Sequence, residues 1–179
     1  MKIGNWGISL VVMVVAPFAV FAQQDTPDGD AGTTVQRVAV RDWTYACVTD
    51  PETGGKQCRI NTKIWADAEK KSMTAAIVIV KGEVGANPIL ILRSGTGIDR
   101  ERKLRMRVDD NTIYSIALGK CSETECRTRL TVPDVLLGEM KAGGKIRFSV
   151  PVGNDDAVVD LPFSLLGFTK GLGLLLAGG

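Results

Sequence analysis

Two cysteines with ten residues between them, Cys47 and Cys58, constrain this chain more than any other feature. They flank a Pro-Glu-Thr-Gly-Gly loop, Pro51 to Gly55, and each sits at the end of a segment that alternates apolar and polar residues. A β-hairpin closed by a disulfide accounts for both facts. With Cys47 opposite Cys58, the numbers of paired residues add to 105, so Tyr45 faces Ile60, Trp43 faces Thr62 and Asp42 faces Lys63. One face then carries Trp43, Tyr45, Cys47, Cys58, Ile60 and Thr62, and the other Asp42, Thr44, Ala46, Arg59, Asn61 and Lys63. An apolar face backed by a polar one is what a half-buried antiparallel pair requires. The same register leaves Pro51 to Gly54 as a four-residue loop, a common hairpin connection.

The N-terminus has the pattern of an export signal. Lys2 precedes an apolar run from Ile8 to Phe21, and Val20-Phe21-Ala22 supplies a cleavage motif before Gln23. The run is too short for a membrane span. Residues 1–22 are therefore expected to be removed on export, and residues 23–34, which hold almost nothing to bury, to form a flexible tether. Residues 35–179 remain as a single domain. Of the 22 Lys and Arg only Lys2 lies in the leader, so 21 face 20 Asp and Glu in the mature chain and net charge selects no partner.

All four cysteines, Cys47, Cys58, Cys121 and Cys126, lie beyond the leader. An exported chain with an even count is read as disulfide-bonded. Three connectivities exist, and local pairing, 47 with 58 and 121 with 126, is preferred because each pair brackets a turn-like segment. On a loop-entropy basis the bridges contribute roughly 3 and roughly 2 kcal/mol. A zinc site is disfavoured by the spacing of the first pair and the lack of any histidine. Neither pair is a Cys-x-x-Cys redox motif.

Further along, Val35 to Val40 reads as a strand leading into the hairpin. Met73 to Val80 and Ile89 to Leu92 are apolar on both faces and belong in the middle of a sheet. From Arg100 to Asp109 the chain alternates, with Leu104, Met106 and Val108 on one side and Lys103, Arg105 and Arg107 on the other. Thr112 to Lys120 is again β-rich. A hairpin register through Cys121 and Cys126 would set Leu118 beside Arg129, so a bulge or a change of sheet is expected near the bridge. Pro133 to Lys141 reads as a helix with Val135, Leu136 and Met140 inward, stopped by Gly143-Gly144. Lys145 to Val150 and Ala157 to Phe163 form a second hairpin. Leu165, Phe168, Leu172 and Leu176 make the stripe of a C-terminal helix. The expected fold is all-β: a disulfide-braced sandwich or flattened barrel of about eight to ten mostly antiparallel strands with two short helices.

Asp42-Trp43 with Cys47, Gly55-Lys56-Gln57-Cys58, Cys121 and Cys126, the helix from Asp134 to Lys141 with its Gly-Gly stop, and Leu165-Leu166-Gly167-Phe168 occur in an order that resembles the invasion-associated locus B family of exported bacterial proteins. The likeness covers most of residues 40–176. It implies a periplasmic or outer-membrane-associated β-sandwich with a part in host-cell invasion, and it implies no established catalytic residues. The chain departs from the family between Ile98 and Val108, where members carry an apolar, glycine-rich stretch.

Candidate contact residues are Trp65, on the opposite face from Ile64, and the basic set Arg100, Arg102, Lys103, Arg105 and Arg107. With Arg93 these cations outnumber Asp99 and Glu101, and they suit an anionic envelope or host macromolecule. A solvated strand that deters edge-to-edge aggregation is the alternative reading of the same residues. No aromatic residue lies among them to stack a base, so nucleic acid is not expected. The C-terminal helix, with Gly167 and Gly171 four apart, either packs on the domain or associates peripherally with a membrane. Without His or a free Cys, and with Asp109-Asp110 and Asp155-Asp156 in turns, neither enzymatic activity nor a metal or cofactor is expected. The expectation is an exported, non-enzymatic interaction protein that is periplasmic, outer-membrane-associated or secreted. The alternative is a periplasmic carrier or chaperone-like binder that holds an apolar ligand between its sheets. Peptide mapping of the unreduced protein should recover Cys47 linked to Cys58 and Cys121 linked to Cys126; a peptide joining Cys47 to Cys121 or Cys126 would overturn the two-hairpin reading.

Overall fold

Three antiparallel strands grow outward from the first disulfide. They are β1 (Thr34–Val40), β2 (Trp43–Thr49) and β3 (Lys56–Trp65). The computed structural model describes residues 34–67, 69, 73–153 and 156–178. The expected leader, the tether before Thr34 and Asp155 of the second acidic pair lie outside the described residues. The β2–β3 ladder has the register set by the cysteines, running from Thr44 opposite Asn61 to Thr49 opposite Lys56. Asp50 and Gly55 close the four-residue loop by a backbone hydrogen bond of 2.9 Å. The ladder ends two pairs short of what alternation implies, with neither Trp43–Thr62 nor Asp42–Lys63 in it. Asp42 does not pair with Lys63, because it lies with Arg41 in the tight β1–β2 turn, where Arg41 adopts φ 55°.

The two strands that are apolar on both faces, β4 (Met73–Val80) and β5 (Ile89–Ser94), extend this sheet. Both disulfides form, Cys47 with Cys58 and Cys121 with Cys126. The second joins β8 (Lys120–Cys121) to β9 (Cys126–Thr131), and the seven-stranded order is β1-β2-β3-β4-β5-β9-β8. The second sheet contains β6 (Leu104–Val108), β7 (Tyr114–Ile116), β10 (Lys145–Pro151) and β11 (Val158–Ser164), in the order β11-β10-β6-β7. Among the described residues, eleven strands thus form two sheets and no closed barrel.

The segment from Tyr114 to Cys121 is not one strand. It leaves the smaller sheet after Ile116 and joins the larger one at Lys120. Gly119 sits at the crossing, where its N–H meets Thr128 Oγ1 at 3.2 Å and a Cβ would run into the Arg127 carbonyl. A change of sheet resolves the register conflict around Leu118 and Arg129.

The inner faces of the two sheets meet in one core. Ile60, Ile77, Leu104, Met106, Phe148 and Phe163 are all buried there, with Phe148 edge-on to Phe163 at 5.9 Å. Helix α1 (Asp134–Ala142) buries Leu136 and Met140. Val135 is 69% exposed, so its expected inward placement is corrected: one position before Leu136, it falls outside the narrow inner stripe. Helix α2 (Phe168–Ala177) starts three residues later than the stripe suggests, because Gly167 at φ 96° turns the chain immediately before it. That turn brings Gly167 against the Val40 carbonyl, where a Cβ would not fit. Leu175 rather than Leu176 then completes the buried side.

Trp43 sits where these parts converge. It is 1% exposed, packs on Phe168 with ring centroids 5.2 Å apart, and donates its indole N–H to the Ser164 carbonyl at 3.0 Å. Replacing it by Ala is expected to cost about 3–5 kcal/mol in urea unfolding followed by circular dichroism. Leu176→Ala, at an exposed position, should cost less than about 0.5 kcal/mol; equal losses would contradict this account of the core.

Candidate interaction site

The basic residues singled out from sequence do not form one patch. Strand β6 begins at Leu104 rather than Arg100, because the preceding loop is pinned to the β10–β11 turn. Asp99 N–H donates to the Pro151 carbonyl at 3.0 Å, and Ile98 bridges to Val152. Arg102 is committed there, 4.0 Å from both Asp99 and Asp156. Arg100 and Lys103 are exposed beside it. Arg105 and Arg107 lie on the outer face of the four-stranded sheet, next to Ser149 and Arg147 respectively, and Arg107 approaches Asp110 at 3.8 Å. Trp65 is on the outer face of the other sheet, so the sandwich separates it from Arg105 and Arg107.

That second outer face is the more organised surface. Its rows follow from strand register, since residues directly opposite share a face. One row runs Arg127, Arg93, Ala76, Lys63. The next runs Arg129, Ile91, Val78, Asn61, Thr44. The third runs Ile89, Val80, Arg59, Ala46, Arg37. The centre of the face is therefore apolar, because β4 and β5 are apolar on both sides, and its flanks are cationic. Most of these residues, together with Arg41, Asp42, Thr62, Ile64, Trp65 and the end of β11 from Pro162 to Ser164, line an open trough of about 1020 Å³. Six cationic side chains line it, Arg37, Arg41, Arg59, Lys63, Arg93 and Arg127, against the single carboxylate of Asp42.

Like charges directly opposite one another are destabilising, and the structure deals with Arg93 and Arg127 through one acid. Glu125 takes Arg93 Nη2 at 2.6 Å and Nε at 2.9 Å on one carboxylate oxygen and Arg127 on the other. The Arg93 hydrogen bond is the chief cause that holds the Glu125 carboxyl below its ordinary range, with Arg127 adding to it. Ala46, between Arg37 and Arg59 in its row, is only 4% exposed on what would be a solvated face; aliphatic arginine stems are long enough to cover such a position. At one end Lys63 lies over the Trp65 ring, 5.2 Å from its centroid. A β-bulge at Ile64–Trp65 interrupts the register there, as bulges often do beside sites.

Other polar groups are spent on the fold. Asp109, at φ 45°, accepts the N–H groups of Gly144 and Lys145 at 2.9 and 3.0 Å. Burial, followed by the nearby Glu139 carboxylate of α1, pushes the Tyr114 hydroxyl pKa up. Among the described residues, no group of three His, Cys, Asp or Glu side chains is placed to hold a metal ion. Among those residues too, no helix is long and apolar enough to cross a membrane.

Sequence reasoning named Trp65 and Arg93 but missed Arg37, Arg59 and Arg127 as members of one surface. The available signal was the doubly apolar character of β4 and β5, which leaves a second apolar face for the outer side. Because the Glu125 carboxyl is depressed, its ion pairs stabilise the fold at neutral pH and lose that contribution as pH falls through its folded-state value. The exposed setting keeps this under about 1 kcal/mol. A carbon-13 NMR titration of Arg93→Gln should move the Glu125 midpoint upward, and an unmoved midpoint would assign the depression to Arg127 instead.

No curated protein matches the chain. The crystal structure of invasion associated protein b from Bartonella henselae matches with a TM-score of 0.65 at 16% identity, over 79% of this chain and 95% of that one. At that identity the likeness is one of fold. A family model described as invasion associated locus B (IalB) protein matches residues 43–175. With most of its sequence inside that match and the same fold in a solved relative, the chain belongs to the invasion associated locus B family.

Proposed function

We propose that the protein is an exported, non-enzymatic binding module, periplasmic, outer-membrane-associated or secreted, that holds an anionic macromolecule on the outer face of its larger sheet. The family and the N-terminal signal pattern support the compartment. The trough, where six cations flank an apolar floor, with Asp42 among them and Glu125 bridging Arg93 and Arg127, carries the assignment of the surface. A cationic concave face raises the rate of encounter with an anion and disfavours other partners. Trp65 at its end is the kind of large, half-buried side chain on which binding energy concentrates.

The carrier alternative draws no support from the packing. Ile60, Ile77, Leu104, Phe148 and Phe168 are each 0% exposed between the sheets, so a ligand there would have to displace the core. The basic strand β6 is the competing surface. Quantitative crosslinking to native envelope fractions distinguishes the two. Arg37→Glu with Arg59→Glu should cut captured partner by about tenfold or more, a loss of roughly 1.4 kcal/mol. Arg105→Glu with Arg107→Glu should change it less than about twofold. The reverse ranking would transfer the function to the smaller sheet and sink the trough assignment.

A further inference from the structure

The shape and chemistry of the trough narrow what it accepts. Its apolar floor is two strands wide, β4 and β5, between a cationic row on β3 and another on β9. Three strand spacings of about 4.8 Å separate those rows, or about 14 Å. An α-helix with its side chains is about 10–12 Å across. From Arg59 to Trp65 the face runs about 20 Å at ~3.4 Å per residue, the length of about 14 helical residues.

Backbone chemistry makes the same choice. The strands that make the floor and its flanks, β3, β4, β5 and β9, pair with neighbours on both sides. The floor of the trough is therefore a sheet face and not an edge, and it offers a guest few main-chain partners. An extended peptide lying there would lose water from its N–H and C=O groups without replacement, whereas a helix satisfies its own. A flat lipid surface would meet the exposed cationic flanks before the half-buried floor. A uniformly charged polyanion has nothing to place on half-buried Val78, Val80 and Ile91. A lone acyl chain would remain wet along the open side.

We propose that the trough receives an acidic amphipathic α-helix of a partner protein, lying along β4. Its apolar stripe sits on Val78 and Ile91, and its carboxylates meet Arg59 and Lys63 on one side and Arg127 and Arg129 on the other. This rests on the binding assignment above and adds the class of partner. Burying an apolar helix stripe on a sheet face follows the layer packing that domains use internally, here completed between two chains.

The test uses the purified protein and a fluorescent synthetic peptide of about 14 residues, with an apolar i, i+3, i+4, i+7 stripe bordered by glutamates. Controls are a scrambled peptide of equal composition, the same peptide with two central prolines, poly-glutamate, and vesicles of phosphatidylglycerol in phosphatidylcholine. Anisotropy at physiological salt should show the amphipathic peptide binding about tenfold or more tightly than the scrambled and proline forms. Its helical circular dichroism should rise on binding. Arg59→Glu should weaken it by about tenfold, with thermal unfolding confirming that the variant folds; Lys63→Glu repeats the test if it does not. Equal binding of the scrambled, proline and poly-glutamate forms, still weakened by Arg59→Glu, would overturn the helix and leave the anionic trough intact. Binding of vesicles without peptide would make a lipid surface the occupant and also overturn it. No Arg59-dependent binding of any anionic probe would remove both the helix and the trough assignment.

Discussion

The hydrogen bond from the Trp43 indole to the Ser164 carbonyl, with Phe168 packed on the same ring, ties three parts of the molecule together. Trp43 belongs to the first hairpin, Ser164 ends the smaller sheet, and Phe168 opens the C-terminal helix. An apolar ring there excludes water, and the buried N–H then has to find a protein acceptor. Gly167 lies against the Val40 carbonyl beside it, and Asp42 N–H meets the Leu166 carbonyl at 3.2 Å. The start of the larger sheet is thereby fixed relative to the end of the smaller one.

The character of β4 and β5 has the opposite effect, since it leaves something incomplete. Their inner residues, such as Ile77, Ile79, Leu90 and Leu92, fill the sandwich core. Their outer residues remain apolar where a solvated sheet would carry polar ones. Arginine and lysine from neighbouring strands border this strip. The smaller sheet has no comparable floor, because β6 and β10 alternate strictly and place Arg105, Arg107, Arg147 and Ser149 outward. Two basic surfaces thus differ in kind, one of charge alone and one of charge around an apolar strip.

Local patterns were legible in the amino-acid sequence, and long-range juxtapositions were not. Cys47, Cys58 and the alternation around them specify a register that the ladder reproduces from Thr44–Asn61 to Thr49–Lys56. Pro133 and Gly143 bracket α1, since each acts on its own backbone. The sheet change near Leu118 was visible as a conflict of faces, although a bulge would have answered it equally well. The expected basic strand was too long because the Asp99 loop is anchored to Pro151, more than fifty positions away. The trough depends on distance even more strongly: Arg37 and Arg127 share a face only through five successive ladders. The charges could be counted along the chain, but not assembled without those pairings.

The Trp43–Ser164 contact spans 121 positions, which gives the fold a particular order of assembly. A chain is made N-terminus first, so the first hairpin can form, and its disulfide can close, while most of the sequence is still absent. Its apolar face has no cover until Ser164 and Phe168 arrive near the end. Contacts of such separation come with a large loop-closure entropy and slow folding. The hairpin is therefore among the first elements able to form and the last to be shielded, and in that interval its exposed Trp43 and Tyr45 face is the surface a folding helper would have to hold.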